Sequence, residues 1–409
     1  MENPLQELLD LPAAERTARG LEHTPREIAQ QPETWKNTYQ RCLALQTELK
    51  GRLQRARIFG RGAAGATAEA AGSPTVYLIG AGTSDYTGRV LAPLMRRQWE
   101  AEVWPVASTT MLTEFEDFHG AGRDYCWISI SRSGDSPEGV ALLERAFEQY
   151  PQIHHLVITC NEKGAMAQLC SRHSDRALAV VLDDSVNDRG LAMTSSFTNM
   201  LLAGECIANL DRLTDHAEVV EKMSRLGTQF LPIAAQAAAT VTSLNCSRIC
   251  FVGAGSLRGV ADESTLKVVE LTGGKVVAMA ESPLGLRHGP LSSLNDETIF
   301  VAFLSSNPRR RGYEIDLLKE IDRKRLGRVR LVVTAHETTD VSHLAEYCLS
   351  LRCHEIGDED FPDEYRPMLD VMLGQLLGLF ASMNSGLKPD QPSPNGAITR
   401  VVSPIKLYV

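Results

Sequence analysis

Hydroxyl side chains are concentrated in two short segments of the chain. The first is Gly80-Ala-Gly-Thr-Ser84 and the second is Ser131-Arg-Ser-Gly-Asp-Ser136. Each follows an apolar run typical of a buried strand and precedes a helical pattern. Because glycines allow tight turns and helix starts offer unpaired N–H groups, the segments predict a phosphate site at the ends of two strands. The candidate side chains are Thr83, Ser84, Ser131, Arg132, Ser133 and Ser136.

Each hydroxyl segment also has an alternative interpretation. Gly80 and Gly82 begin the dinucleotide-binding pattern G-x-G-x-x-G, but Asp85 stands where the third glycine belongs. A carboxylate there would repel a pyrophosphate, so the segment is poor evidence for a dinucleotide site. In the second segment, Ser136 could instead be the N-cap of the following helix, with the two earlier serines facing solvent.

Three residues in the second half of the chain are candidates for proton transfer. Lys267 and Glu270 lie three residues apart in a helical pattern and therefore share a helix face. They could form a surface salt bridge or line a reaction site. His288 stands in Leu286-Arg-His-Gly-Pro290. Histidine titrates near neutral pH, which suits a proton shuttle, but a turn-capping role is the alternative.

Composition argues against several classes of function. The 409-residue chain has a formal net charge of −9, and an acidic surface does not favour nucleic acid or anionic membranes. Its nine cysteines are scattered without a CxxC pair, as expected of free thiols in the cytoplasm. The sequence shows neither a secretory signal nor an apolar run of about 20 residues. No spacing of histidines and cysteines indicates a metal site.

The elements that must position these residues form an internal repeat. Short β-branched runs alternate with helical stretches, a pattern typical of βαβ units around a parallel sheet. Four strand-like runs recur in the same order about 170 to 175 residues later. The pairs are 76–82 with 249–255, 126–131 with 299–305, 155–159 with 330–334, and 178–182 with 347–351. We therefore predict two homologous α/β domains.

The two predicted copies differ in their polar residues. The second copy has Gly255-Ser-Leu-Arg258 and Ser305-Ser-Asn-Pro308 where the first has its hydroxyl segments. Residues needed only for the fold would be expected in both copies, so we predict that the first copy alone binds phosphate. The predicted bounds are 1–57 for an N-terminal helical segment with a flexible small-residue loop after it at 61–74, 58–218 and 219–385 for the domains, and 386–409 for a C-terminal tail.

The hydroxyl segments resemble those of the sugar isomerase (SIS) domain, and the resemblance covers essentially the whole chain. The duplicated arrangement is similar to the isomerase half of glucosamine-6-phosphate synthase. Closer still is the AgaS-type family of galactosamine-6-phosphate deaminase/isomerases, also labelled tagatose-6-phosphate ketose/aldose isomerases. The segments most similar to that family are 23–32, 108–110, 193–198 and 282–290. The resemblance implies two tandem SIS domains, each a mostly parallel sheet flanked by helices in a flavodoxin-like three-layer sandwich.

The resemblance also implies roles for individual residues. The glutamate matching Glu270 moves a proton between C1 and C2 of the sugar, and the lysine matching Lys267 lines the same site. The histidine matching His288 opens the sugar ring from the neighbouring subunit, which implies a homodimer or higher homo-oligomer. Arg400 stands where the synthase has a lysine, and arginine stays protonated and cannot form a Schiff base. Further substrate contacts are assigned to Thr194, Ser195 and Arg400.

These residues suit the conversion of a phosphorylated amino sugar to a ketose phosphate. The predicted reaction is D-galactosamine 6-phosphate plus water to D-tagatose 6-phosphate plus ammonia, with neither cofactor nor metal. The galacto configuration rests on the resemblance alone. Two alternatives stay open: an aldose–ketose isomerase acting on a hexose 6-phosphate without deamination, and a non-enzymatic sugar-phosphate sensor that regulates a partner.

Overall fold

The computed structural model describes residues 3–58, 74–119, 124–352, 361–393, 396–402, 406 and 408. Most of the predicted loop at 61–74 and part of the predicted tail at 386–409 lie outside these residues. The chain divides into two compact units, which we call domains A and B. Domain A consists of Thr34–Asn187, Ser195–Val220 and Thr399–Val409. Domain B consists of Met1–Glu33, Asp188–Thr194 and Glu221–Ile398. These units are built from several separate ranges, whereas the sequence analysis predicted continuous ones. The predicted domain bounds therefore stay a prediction.

Domain A contains a five-stranded sheet in which every pair of neighbouring strands is parallel. Its strands are β1 (Thr75–Gly80), β2 (Glu102–Ala107), β3 (Tyr125–Ser131), β4 (His154–Thr159) and β5 (Ala177–Val181). Their spatial order is β2-β1-β3-β4-β5, the flavodoxin-like order. Strands β1 and β3 are buried along their whole length, which accounts for their nearly continuous apolar sequences.

Domain B contains a second parallel sheet of five strands. These are β6 (Arg248–Gly253), β7 (Val277–Glu281), β8 (Thr298–Leu304), β9 (Val329–Thr334) and β10 (Tyr347–Ser350). Their order is β7-β6-β8-β9-β10, so each strand has a counterpart at the same place in the other sheet.

Strand register confirms the predicted repeat. Thr75 of β1 lies opposite Tyr125 of β3, just as Arg248 of β6 lies opposite Thr298 of β8. The four repeated runs therefore fall on equivalent strands in the predicted alignment. The structure adds a fifth pair, β2 with β7, which their dissimilar sequences did not reveal. The predicted fold of two tandem α/β domains with parallel sheets is confirmed.

Fourteen α-helices are found in the described residues. The first seven are α1 (Pro4–Asp10), α2 (Ala13–Arg19), α3 (Thr24–Ala29), α4 (Gln31–Ala44), α5 (Gln46–Arg55), α6 (Thr83–Trp99) and α7 (Ser108–Thr113). The others are α8 (Pro137–Gln149), α9 (Ala165–Arg172), α10 (Ser195–Ala208), α11 (His216–Thr242), α12 (Ser256–Thr272), α13 (Pro308–Lys324) and α14 (Pro367–Asn384). In the described part of the chain, none of them has the length and apolar character to cross a bilayer.

Glycines determine where helices α6 and α12 begin, and these two helices carry candidate site residues. Helix α6 follows Gly82 and α12 follows Gly255, whose backbone angles are nearly the same (φ 56°, ψ −124° and φ 61°, ψ −129°). Such positive φ values favour glycine. In domain B, α14 packs closely on α12 because a Cβ atom at Gly374 would lie only 2.1 Å from the Ser264 hydroxyl. This close approach buries one face of α12.

Candidate functional site

The two hydroxyl segments meet at one edge of the domain A sheet. The chain leaves β1 toward β2 on one side and leaves β3 toward β4 on the other, so a crevice opens between the carboxyl ends of β1 and β3. Thr83 and Ser84 are buried in the first turn of α6, and Ser131 is the last residue of β3. The structure therefore brings together the segments that the sequence placed at strand ends.

Internal hydrogen bonds shape the loop after β3. The Ser131 hydroxyl accepts from the Gly134 N–H at 3.1 Å, and the Ser133 hydroxyl accepts from the Asp135 N–H at 3.2 Å. Ser136 occupies the N-cap position of α8, yet within the described residues its side chain makes no capping hydrogen bond. The alternative in which Ser136 serves only as a cap is therefore not supported. The first N–H groups of α8 stay available to an anion.

Sequence reasoning missed a residue that braces this loop. The Asn161 amide, just beyond β4, donates to the Ser133 carbonyl at 2.8 Å. Asp135 accepts from the same amide at 3.2 Å and from the Ala165 N–H at 2.8 Å. The sequence did contain a signal for Asn161, because it is a polar residue at the carboxyl end of β4. Parallel strands end at the same edge of a sheet, so such a residue is expected near the loop after β3.

Arg132 and Arg400 form a network within domain A. The Arg132 side chain is buried, and its guanidinium donates to the backbone carbonyl of Arg400. The Arg400 guanidinium donates in turn to the Asn187 side-chain oxygen at 2.6 Å. Arg400 therefore lies next to the predicted phosphate loop, although its contact with substrate stays a prediction.

The predicted proton-transfer residues Lys267 and Glu270 are in direct contact on α12. The Lys267 ammonium lies 2.7 Å from a Glu270 carboxylate oxygen and 3.3 Å from one of Glu263. Lys267 and Glu263 have fully buried side chains, whereas that of Glu270 is 24% exposed. The pair is therefore not a surface salt bridge. Glu263, four residues before Lys267 and on the same helix face, was missed.

Electrostatics keep Lys267 charged in this buried position. Burial alone would lower the pKa of its ammonium, but the carboxylates of Glu263 and Glu270 outweigh that effect. The pKa of Lys267 consequently lies above its ordinary value. A fixed positive charge thus lies beside the more exposed carboxylate of Glu270.

His288 lies on the surface of domain B. It follows a single 3-10 turn (Gly285–Arg287), and its N–H donates to the Gly285 carbonyl at 2.9 Å. Its side chain is exposed. Within the described part of a single chain, no hydrogen bond or ion pair joins the His288 side chain to Lys267 or Glu270.

Thr194 and Ser195 are both completely buried. In domain B, the Thr194 N–H and hydroxyl donate to the Asp188 carboxylate at 2.8 and 3.3 Å. In domain A, Ser195 is the first residue of α10. Their assignment as substrate contacts stays a prediction. The described residues contain no group of three or more histidine, cysteine, aspartate or glutamate side chains placed to hold a metal ion.

Comparison with known proteins identifies the class of protein to which this chain belongs. No protein-family model matches the chain. The solved tagatose-6-phosphate ketose/aldose isomerase from Escherichia coli is 31% identical with a TM-score of 0.80, and the match covers 93% of this chain and 98% of that one. The tandem parallel sheets, with hydroxyl residues at the strand-order reversal, are thus those of the sugar isomerase (SIS) class of phosphosugar enzymes.

Two curated relatives narrow the class to a family. A candidate D-galactosamine-6-phosphate deaminase AgaS from Streptomyces coelicolor is 35% identical over 388 residues, which cover 94% of this chain and 95% of the relative. The D-galactosamine-6-phosphate deaminase AgaS from Escherichia coli O157:H7 is 35% identical over 81% of this chain and 85% of its own length. The chain belongs to the AgaS family of D-galactosamine-6-phosphate deaminases, which confirms the predicted resemblance.

Proposed function

We propose that this enzyme converts D-galactosamine 6-phosphate and water to D-tagatose 6-phosphate and ammonia. Family membership supports the substrate class, since relatives about 35% identical carry that activity in their names. The arrangement of Glu263, Lys267 and Glu270 is the observation that carries the chemistry. It offers a partly exposed carboxylate, paired with a buried ammonium at 2.7 Å, as the group that accepts a proton from carbon.

We assign binding of the phosphate group to the crevice of domain A. Neutral hydroxyls and helix N–H groups hold a dianion without requiring a lysine from this acidic chain. Ser133 and Ser136 stand at the start of α8, and Thr83 and Ser84 stand at the start of α6. Two helix N-termini thereby point their partial positive charge into one crevice.

The reaction then needs ring opening, transfer of a proton from C2 to C1, and one hydrolysis. A histidine, which we assign as His288, protonates the ring oxygen while the C1 hydroxyl loses its proton, giving the open-chain aldehyde. Glu270 removes the proton from C2 while the aldehyde oxygen takes up a proton, and the electron pair forms an enolamine across C1 and C2. Return of the proton to C1, with loss of a proton from the nitrogen, yields an imine at C2. Water adds to that carbon, and ammonia leaves to give the ketone of the product.

We further propose that His288 serves the site of a neighbouring subunit. Its exposure supports this role, as do exposed apolar side chains elsewhere in domain B. Val277 on the edge strand β7 is 62% exposed and Leu284, four residues before His288, is 43% exposed. Apolar side chains this exposed favour burial against a second copy of the chain. We place the enzyme in the cytoplasm, where its free thiols would stay reduced.

Ammonia release from galactosamine 6-phosphate and from glucosamine 6-phosphate tests the reaction. We expect the galacto compound to be the better substrate and Glu270→Gln to lower kcat by about 10²-fold or more, because the amide cannot accept the C2 proton. Glu221→Gln, at an exposed glutamate of α11 in the same domain, is the matched control and should keep full activity. Ammonia from neither sugar would refute deamination, and full activity of Glu270→Gln would refute the assigned base.

A further inference from the structure

The counterpart of the phosphate crevice in domain B is filled by the chain's own side chains. Strands β3 and β8 each have seven residues, and register aligns Tyr125 with Thr298. The residue after each strand is Arg132 in domain A and Ser305 in domain B. The loop that binds phosphate in our proposal therefore has a structural equivalent that starts at Ser305.

A carboxylate occupies this equivalent loop. One oxygen of Asp363 accepts from the Ser306 N–H at 2.7 Å, and the other accepts from the Ser305 hydroxyl. The Arg310 guanidinium approaches the second oxygen at 3.4 Å. Asp363 is 6% exposed. A hydroxyl, a backbone N–H and a guanidinium are the donors that proteins use to bind phosphate, and here they surround an internal anion.

Two further differences close the crevice in domain B. Helices α8 and α13 both begin with proline after their N-cap, which aligns Ser136 with Asn307 and Gly139 with Arg310. The Asn307 side chain accepts from the N–H groups of Arg309 and Arg310 at 3.1 and 3.3 Å, so it uses the donors that Ser136 leaves available. The Arg310 guanidinium lies against Gly255, where a Cβ atom would be 3.1 Å from its nitrogen.

The remaining neighbours of Asp363 connect this loop to α14. Glu314 accepts from the Ser305 N–H at 2.8 Å, and burial raises the pKa of the Glu314 carboxyl to about 7. Arg366 lies 3.9 Å from Asp363 and donates to the Leu304 carbonyl at 2.7 Å. Arg366 immediately precedes α14, which packs on α12. The filled crevice therefore anchors the start of the helix that supports Lys267 and Glu270.

We propose that domain B retains an anion-binding site whose ligand is the chain's own Asp363 carboxylate. The comparison of Asp363 with a bound phosphate rests on the proposed function of domain A. The contacts of Asp363 themselves are independent of that function. Small oxyanions such as formate and inorganic phosphate should enter the domain B site only when this carboxylate is removed. The wild-type chain consequently binds one sugar phosphate, in domain A, whereas the equivalent crevice of domain B holds only the chain's own carboxylate.

Asp363→Ala tests this proposal by chemical rescue. We expect its Tm to fall by about 5 °C or more, because Arg310 and Arg366 lose a buried carboxylate. Added formate or inorganic phosphate should restore the Tm in a saturable manner, beyond any effect on wild type. Calorimetry should show one more phosphate bound per chain than in wild type. Asp340→Ala is the matched control, since Asp340 pairs with Arg311 at 2.7 Å in the same domain but outside the crevice.

Equal anion effects on Asp363→Ala, Asp340→Ala and wild type would overturn the proposal. If Asp363→Ala is recovered only unfolded, its refolding yield with and without formate becomes the measurement, and equal yields would again refute it. Asp363→Asn should not be rescued, because the amide fills the space that an added anion needs. All these readouts are independent of ammonia release, so failure of the proposed reaction would leave the result for Asp363 intact.

Discussion

At the scale of single residues, burial distinguishes Lys267 from an ordinary helix ion pair. Spacing alone placed Lys267 and Glu270 on one helix face, where exposed pairs contribute little to stability. The structure adds Glu263 and removes Lys267 from solvent entirely. An ammonium desolvated to this extent needs compensating carboxylates, and two of them surround it. The i, i+4 spacing of Glu263 was visible in the sequence, but its burial was not.

Another buried residue, His155, makes the stability of domain A sensitive to acid. It lies in β4, and neither ring nitrogen has a hydrogen-bond partner among the described residues. Burial, with nearby Arg176, lowers its pKa from 6.5 to about 3. The unfolded chain therefore binds a proton below pH 6.5 that the folded chain excludes. Between pH 6.5 and pH 5 this residue should remove about 2 kcal/mol of folding free energy.

We expect His155→Leu to weaken that pH dependence. Urea unfolding of wild type and variant at pH 7 and at pH 5 measures it, and the free energy lost between the two pH values should be smaller for the variant by about 2 kcal/mol. His343→Leu, at an exposed histidine, should leave the pH dependence unchanged. The same loss in all three proteins would show that His155 is not responsible.

At the scale of elements, helices α8 and α13 begin alike but use their N-caps differently. Asn307 accepts from two N–H groups of its own helix, whereas Ser136 caps none among the described residues. Side-chain capping typically contributes about 1 kcal/mol. A hydroxyl that does not cap its helix is available for a ligand. The start of α13 is therefore stabilised by its own side chain, and the start of α8 is the one that we propose for phosphate binding.

This difference predicts opposite effects of two alanine substitutions. Asn307→Ala should lower the free energy of unfolding by about 1 kcal/mol and leave KM nearly unchanged. Ser136→Ala should leave stability unchanged and raise KM about tenfold, because a hydrogen bond to a charged phosphate is lost. Urea unfolding and ammonia-release kinetics on both variants measure the contrast. A stability loss in Ser136→Ala without any change in KM would contradict the assignment.

At the scale of the whole molecule, the exposed His288 predicts active sites shared between subunits. Glu270→Gln and His288→Asn should each be nearly inactive alone. If each site takes its glutamate from one subunit and its histidine from the other, a mixed dimer regains one intact site. Random exchange of equal amounts should then restore about a quarter of wild-type activity.

Subunit exchange is the condition to control in this mixing experiment. The same two proteins, assayed immediately after mixing and before exchange, should show no recovery. A size measurement of tagged and untagged subunits verifies that mixed dimers form. If mixed dimers form and activity does not return, both residues belong to a site within one chain.

By itself, the sequence determined the architecture and predicted where the chemistry lies. Apolar runs and their ordered recurrence predicted two parallel sheets, because central strands need continuous apolar sequence. The serines after β3 were found for a related reason, since strand ends in such sheets meet at a common edge. Local patterns of this kind involve consecutive residues, so they can be recognised without knowledge of the tertiary structure.

Only the tertiary structure decided which polar groups are buried, satisfied or free. Asp363 lies 57 residues from its partner Ser306, and no local pattern connects them. The same holds for Asn161 and Ser133, which meet only because neighbouring strands end together. Desolvation and hydrogen-bond competition depend on everything packed around a group. A serine that we propose as a ligand contact and a serine already hydrogen-bonded within the chain therefore look the same in the sequence.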